Sequence, residues 1–258
     1  MIKFFRKIRY ELMEKNKTGK YLKYAIGEII LVVIGILIAL SINNWNTDRQ
    51  VKNDNKLFLE KMLTDLNQNK VRMDELVFET RYDGKYPSYQ QAINQCDTIL
   101  KLTYKGLKIS DIEFISNSKF DAASPQLNLQ KSTYEELLNT GKLYTIGSDS
   151  LINAINNYFK LCESEERYNI SNNENYNRAY DSMDKGLGIM LQDYQLDKVN
   201  FDINNYPWFF DKTSEEYLNI RLGMCKMLEV QKLNLFKMMR IKKQSDKLIS
   251  TIQKTLKK

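Results

Sequence analysis

The sequence contains no histidine. That absence removes Ser-His-Asp and Cys-His catalysis, and with them the commonest zinc and iron ligand. Cysteine is scarce: Cys96, Cys162 and Cys225 are far apart, odd in number and form no CxxC pair. A thiol redox site or zinc ribbon therefore has no support, and at most one intramolecular disulfide could form. Ordinary buried cysteines are expected. Glycine (10) and proline (3) together make about 5% of the 258 residues, against a usual sum of roughly 12%. Sheets with tight turns need more of both, so an all-α chain of long helices is expected. Pro87, Pro125 and Pro207 are its natural break points, since proline lacks a donor N–H and disfavours helix before it.

Charge is unevenly spread along the chain. Met1–Lys23 carries a balance of +6 and Lys226–Lys258 one of +8, so the overall +7 leaves the stretch between them at −7. An acidic body with two basic ends is a poor nucleic-acid binder. Basic ends near an apolar segment point instead to anionic lipid.

That apolar segment is Tyr24–Trp45, YAIGEIILVVIGILIALSINNW, with Glu28 as its only charge. Twenty-two residues at ~1.5 Å each span about 33 Å, enough to cross a hydrocarbon layer of ~30 Å. Every face of Ile29–Leu40 is apolar, unlike an amphipathic soluble helix. Tyr21, Tyr24 and Trp45 sit where interfacial aromatic belts lie. Two other readings compete: a buried core helix, and a signal peptide cleaved at the small residues Ala39 and Ser41. The 23-residue basic lead and the interfacial residues beyond favour a retained signal-anchor. Lys15, Lys17, Lys20 and Lys23 crowd its N-terminal side, which predicts a cytoplasmic N-terminus and a periplasmic body. Residues 1–23, with Phe4, Phe5, Ile8 and Leu12 at helical spacing, read as a basic amphipathic segment lying in the headgroup plane.

Glu28, Gly35 and Ala39 share one side of this helix. Gly35 and Ala39 form a small-xxx-small pair that permits close helix approach. Glu28 is either a snorkelling interfacial carboxylate or a contact with a basic partner or a second copy. The block YAIGEIILVVIGILIALSINNWN, preceded by KFFRKIR, resembles the hallmark of an uncharacterised family of flavobacterial membrane proteins classed as a domain of unknown function. STYEELLNTGKL resembles a further recurring segment. The resemblance implies a bacterial inner-membrane setting and brings no activity, ligand or catalytic residue.

Beyond Trp45 the helical period continues through Val51, Phe58, Met62, Leu66, Met73 and Leu76, predicting a stalk over 46–81. Asp83-Gly84 marks a turn. A second helix follows Pro87 and ends near Gly106. Ser132-Thr133-Tyr134-Glu135 fits a capping box, and Gly141 a C′ glycine. A longer helix starts near Asp149, and the Asn-rich run before Tyr180 is where it could break. Thr213-Ser214-Glu215-Glu216 opens a last helix towards Leu256. Its apolar positions Tyr217, Ile220, Met224, Met227, Leu235, Met238, Ile241, Leu248 and Ile252 suit a bundle core or a coiled-coil strand. The domain scheme is thus 1–23, a transmembrane helix over 24–45, and an antiparallel helical-bundle domain over 46–258.

Candidate chemistry is thin. The pairs Glu135/Glu136, Glu165/Glu166 and Glu215/Glu216 are sequence neighbours, which diverge by about 100° on a helix and cannot face each other. Solvated structural roles are expected for them. Asp197, Asn200, Asp202 and Asn204 lack the glycine and terminal glutamate of a calcium loop. No metal or cofactor is expected. The run Tyr206-Pro207-Trp208-Phe209-Phe210 is either a core plug or, where exposed, a ligand or partner contact. Three function classes follow. The first is a membrane-anchored interaction or scaffold module of the bacterial envelope, with the lipid bilayer and a second copy or envelope protein as partners. The second is a periplasmic ligand-sensing subunit, and the third a carboxylate-dependent enzyme.

Overall fold

A computed structural model describes Arg6, Tyr10, residues 18–120, Ala122 and residues 125–257. The amphipathic segment expected over 1–23 falls mostly outside the described residues. The chain divides into two compact units, Met1–Leu57 and Phe58–Lys258. Among the described residues there are six α-helices and no strand, only an isolated antiparallel bridge between Arg81 and Tyr86. The helices are α1 (Thr18–Phe78), α2 (Tyr89–Lys105), α3 (Ile112–Asn117), α4 (Ser132–Asn139), α5 (Asp149–Leu196) and α6 (Glu215–Leu256).

In the first unit, α1 carries the apolar stretch. It is long and apolar enough to cross a membrane, and none of that stretch is buried. Large side chains from Ile29 to Leu40 are exposed whichever way they point. A helix apolar on all sides is stable only when something apolar surrounds it.

The second unit is organised by α5 and α6, an antiparallel hairpin of 48 and 42 residues. Both helices begin on a serine: Ser148 accepts from the Leu151 N–H and Ser214 from the Tyr217 N–H, at 3.4 and 3.3 Å. Each cap satisfies a donor that the first turn would orphan. The hairpin closes tightly at two glycines. A Cβ on Gly223 would stand 2.6 Å from the Ala179 carbonyl oxygen, and one on Gly186 2.7 Å from that of Glu216. Only glycine allows backbones so near.

Two apolar clusters fill the hairpin. In the first, Met62, Leu66, Met73 and Leu76 of α1 meet Ile155, Phe159 and Cys162 of α5 and Met238, Ile241 and Leu248 of α6. An ion pair of Lys242 with Asp74 at 2.5 Å, and another of Lys70 with Asp246, tie α1 to α6 at its edge. In the second, Cys96 and Ile99 of α2 meet Met183 and Leu187 of α5 and Tyr217, Ile220 and Met224 of α6. The Tyr217 hydroxyl donates to the Thr103 carbonyl at 2.6 Å and accepts from the Leu107 N–H at 3.2 Å, fastening the end of α2 to the start of α6. Each half of the hairpin is thus completed by a different helix, the C-terminal part of α1 or α2.

Between the clusters lies a polar layer of Glu165, Asn169 and Asn172 on α5 with Gln231 and Asn234 on α6, all buried. Asn172 donates to Asn234 at 2.8 Å, Asn234 to the Tyr89 hydroxyl at 3.3 Å, and Gln231 to the Phe120 carbonyl at 2.8 Å. The Asn-rich run therefore does not break α5. Asn172 is hydrogen-bonded to Asn234 inside the bundle, which helps to offset the poor helix propensity of the run.

Several expectations are corrected. The stretch read as a stalk, 46–81, divides: residues 46–57 belong to the first unit, while Phe58, Met62 and Leu66 are core of the second. Ser132 is the first residue of α4 rather than its cap, and no side chain of the preceding residue caps it. The buried Thr133 N–H is instead satisfied by the Asp65 carboxylate of α1, at 3.1 Å. Glu165 is not solvated. The inward stripe of α6 serves a bundle core, with Tyr217, Ile220, Met224, Met227, Met238, Ile241, Leu248 and Ile252 all buried.

Candidate interaction surfaces

On α1, Gly35 and Ala39 are exposed and Glu28 is half-buried. A Cβ on Gly35 would meet no heavy atom within 4 Å. The small-residue side of the helix is therefore uncovered within this chain, open to a neighbouring helix. At the far end of the apolar stretch the Arg49 guanidinium sits 5.8 Å from the centre of the Trp45 ring.

The aromatic run after α5 forms a chain of rings. Tyr194 meets Phe201, Phe201 stacks on Tyr206, and Tyr206, Trp208, Phe209 and Phe210 follow in contact, with centroids 5.2 to 6.3 Å apart. Pro207 at the first position of a 3-10 turn, Pro207–Phe210, sets the direction of this run. Phe209 is fully buried, Tyr206 and Trp208 are half-buried, and Phe210 faces outward. The Tyr206 hydroxyl donates to the Asp193 carboxylate, which raises its pKa above the ordinary value. One ring plugs the core and one is available to a partner, so the two readings of the run split by residue.

Glu165 and Glu166 turn to different partners. Glu165 is held by Arg240 at 3.1 Å and Lys237 at 3.4 Å, with no second carboxylate facing it in that contact set. Glu166 points elsewhere and accepts from the Leu129 N–H at 3.2 Å. Glu215 and Glu216 lie in the first turn of α6, where acids favour the helix dipole. Asp197 accepts two hydrogen bonds from Asn200, whose side-chain amide is the main cause of its lowered pKa, and Asp202 accepts two from Asn204. Among the described residues no group of three or more His, Cys, Asp or Glu is placed to hold a metal ion. A cationic cleft of about 730 Å³ is lined by Arg72, Arg81, Lys85 and Tyr82. Its arginines already staple the chain: Arg72 donates to the Leu127 and Gln126 carbonyls at 3.3 and 3.1 Å, and Arg81 to that of Ala122.

Sequence reasoning missed one surface. Besides its buried stripe, α6 exposes Leu218, Leu222, Leu233, Phe236 and Met239, with Cys225 among them. Positions 218, 222, 225, 233 and 236 recur at three- and four-residue spacing or multiples of it, on one outward face. The signal was present, since α6 has more apolar residues than one face can hold.

A search of curated proteins finds no match, and neither does a search of solved structures. Residues 28–209 match a protein family whose description is "Family of unknown function (DUF6090)". That match takes in α1 from Glu28, α2 to α5 and the aromatic run as far as Phe209. The chain belongs to this family of unknown function.

Proposed function

We propose that the protein is a membrane-anchored interaction or scaffold module of the bacterial envelope, without catalytic activity of its own. The observation that carries this reading is the apolar stretch of α1, uncovered on every side, because such a surface requires a hydrocarbon environment. The lysines that precede it support a cytoplasmic N-terminus and a periplasmic bundle at a bacterial inner membrane. The resemblance of the N-terminal block to flavobacterial membrane proteins supports the same setting. On this reading Gly35 and Ala39, with Glu28 on the same side, receive a second membrane helix. The outward rings near Phe210 add a partner contact on the bundle. Among the described residues, the cleft beside Arg72 and Arg81 is open and already stapled by its arginines, which gives a sensing role little support, and Glu165 and Glu166 do not face each other as an enzyme role would need. The test is a pair of reporters fused after Lys258, one active only in the periplasm and one only in the cytoplasm. Activity of the periplasmic reporter alone is expected; activity of the cytoplasmic one alone overturns the assignment.

A further inference from the structure

We infer that the outward face of α6 docks on an acidic lipid surface. It carries Leu218, Leu222, Leu233, Phe236 and Met239 into solvent, Phe236 with 65% of its surface exposed. Residues 218–243 hold seven basic side chains and one acid, Glu229. Lys232, Arg240 and Lys243 are exposed on the side of the helix that bears these apolar residues. Apolar side chains rimmed by lysine and arginine are the chemistry of a helix lying in a headgroup plane. The apolar groups enter the boundary by about 5–10 Å and the cations meet lipid phosphates.

Charge decides between occupants. A second copy seated on this face would bring Lys232, Arg240 and Lys243 against the same three cations, with Glu229 alone on each side to offset them, and repel. An acidic phospholipid surface is complementary to the same residues. Arg240 and Lys237 also hold the buried Glu165, so part of the basic rim is fixed to the bundle core. The inference goes beyond the anchor reading and rests on it only for proximity, since a membrane-tethered chain raises the local concentration of lipid around the bundle.

Cys225 supplies the probe site. It is the exposed cysteine, whereas Cys96 and Cys162 are buried. The full chain, labelled at Cys225 with an environment-sensitive fluorophore, is reconstituted into vesicles of phosphatidylcholine alone or with about one third phosphatidylglycerol. Resistance to alkaline wash first shows that the anchor is inserted, so failure of the anchor reading is seen separately. Quenching by lipids spin-labelled in the acyl chain is then read. The expected result is strong quenching with phosphatidylglycerol, lost at high salt and in phosphatidylcholine alone. The double variant Lys232→Glu/Lys243→Glu, which leaves the Glu165 pairs intact, should need on the order of tenfold more acidic lipid for the same quenching. A label at Lys160→Cys on α5, with Cys225→Ser, should stay unquenched. Equal quenching at the two label sites, or none at Cys225 in anchored chains, overturns the inference. Shielding of Cys225 that follows protein density and ignores lipid composition identifies a second copy as the occupant, and also overturns it.

Discussion

Glu165 of α5 and Arg240 of α6 meet at 3.1 Å in the stretch where the hairpin core turns polar. The glutamate side chain is 4% exposed, the arginine 53% and its second partner Lys237 13%. The carboxylate is therefore buried while its cations are graded in depth, and the deeper lysine matters more. A surface contact contributes little, whereas stripping a buried charge of its partner leaves it uncompensated.

Lys237→Ala should accordingly destabilise the bundle by about 2 kcal/mol and Arg240→Ala by no more than ~1 kcal/mol. Urea unfolding of the full chain in detergent, followed by circular dichroism, measures both. Equal losses would show that Glu165 does not depend on the depth of its partners.

Gly223→Ala should cost about 3 kcal/mol or more, because the new methyl would meet backbone atoms of Ala179 and Met183 at 2.6 to 2.8 Å and the helices must part. Gly188→Ala is the control. There the added carbon meets only the Asp184 side chain of its own helix, which can rotate away, so a change near zero or a gain of up to ~1 kcal/mol follows from helix propensity. Thermal unfolding of the two variants should differ widely in midpoint.

Burial pushes the Cys162 thiol up to about 12 from an ordinary 9.0. The folded state thus keeps a proton that the unfolded state releases. The resulting stability is fully present below pH 9 and is lost as pH rises towards 12. Cys162→Ala should flatten the fall in stability over that alkaline window. At pH 8 a thiol reagent should modify one cysteine in the folded chain and three after denaturation, since the thiolate is the reactive form.

Gly35→Leu makes the membrane segment more apolar and leaves insertion intact, yet should separate helices that approach through small residues. Cross-linking through single cysteines along α1 (with the native cysteines removed) should peak with a period near 3.5 residues on the Glu28–Gly35–Ala39 side. It should collapse in the variant. Uniformly low cross-linking, the same in both, would make the helix a passive anchor.

Much of the architecture was legible because helical punctuation is local. The Ser214 cap, Gly141 in the left-handed region at φ 69° and the break at Pro87 are each decided within a few residues. What failed depended on distant partners. The Ser132 motif reads as a capping box, but Asp65, 68 residues earlier, reaches the Thr133 N–H first. The Asn-rich run reads as a weak helix until Asn172 is seen bonded to the facing Asn234 and Tyr176 to Gln231. Glu165 reads as solvated until Lys237 and Arg240 are brought beside it. The candidate surfaces divided likewise. The uncovered side of α1 follows from composition, whereas the fate of each ring from Tyr206 to Phe210, and the second face of α6, follow from packing.

The central claim, that α1 anchors this chain in a membrane and is retained, is tested most directly by the intact mass of protein left in membranes after alkaline wash. The account predicts the uncleaved chain of 30.5 kDa in the membrane pellet, released only by detergent. A chain beginning near Ile42, or the whole protein in the wash, would contradict it.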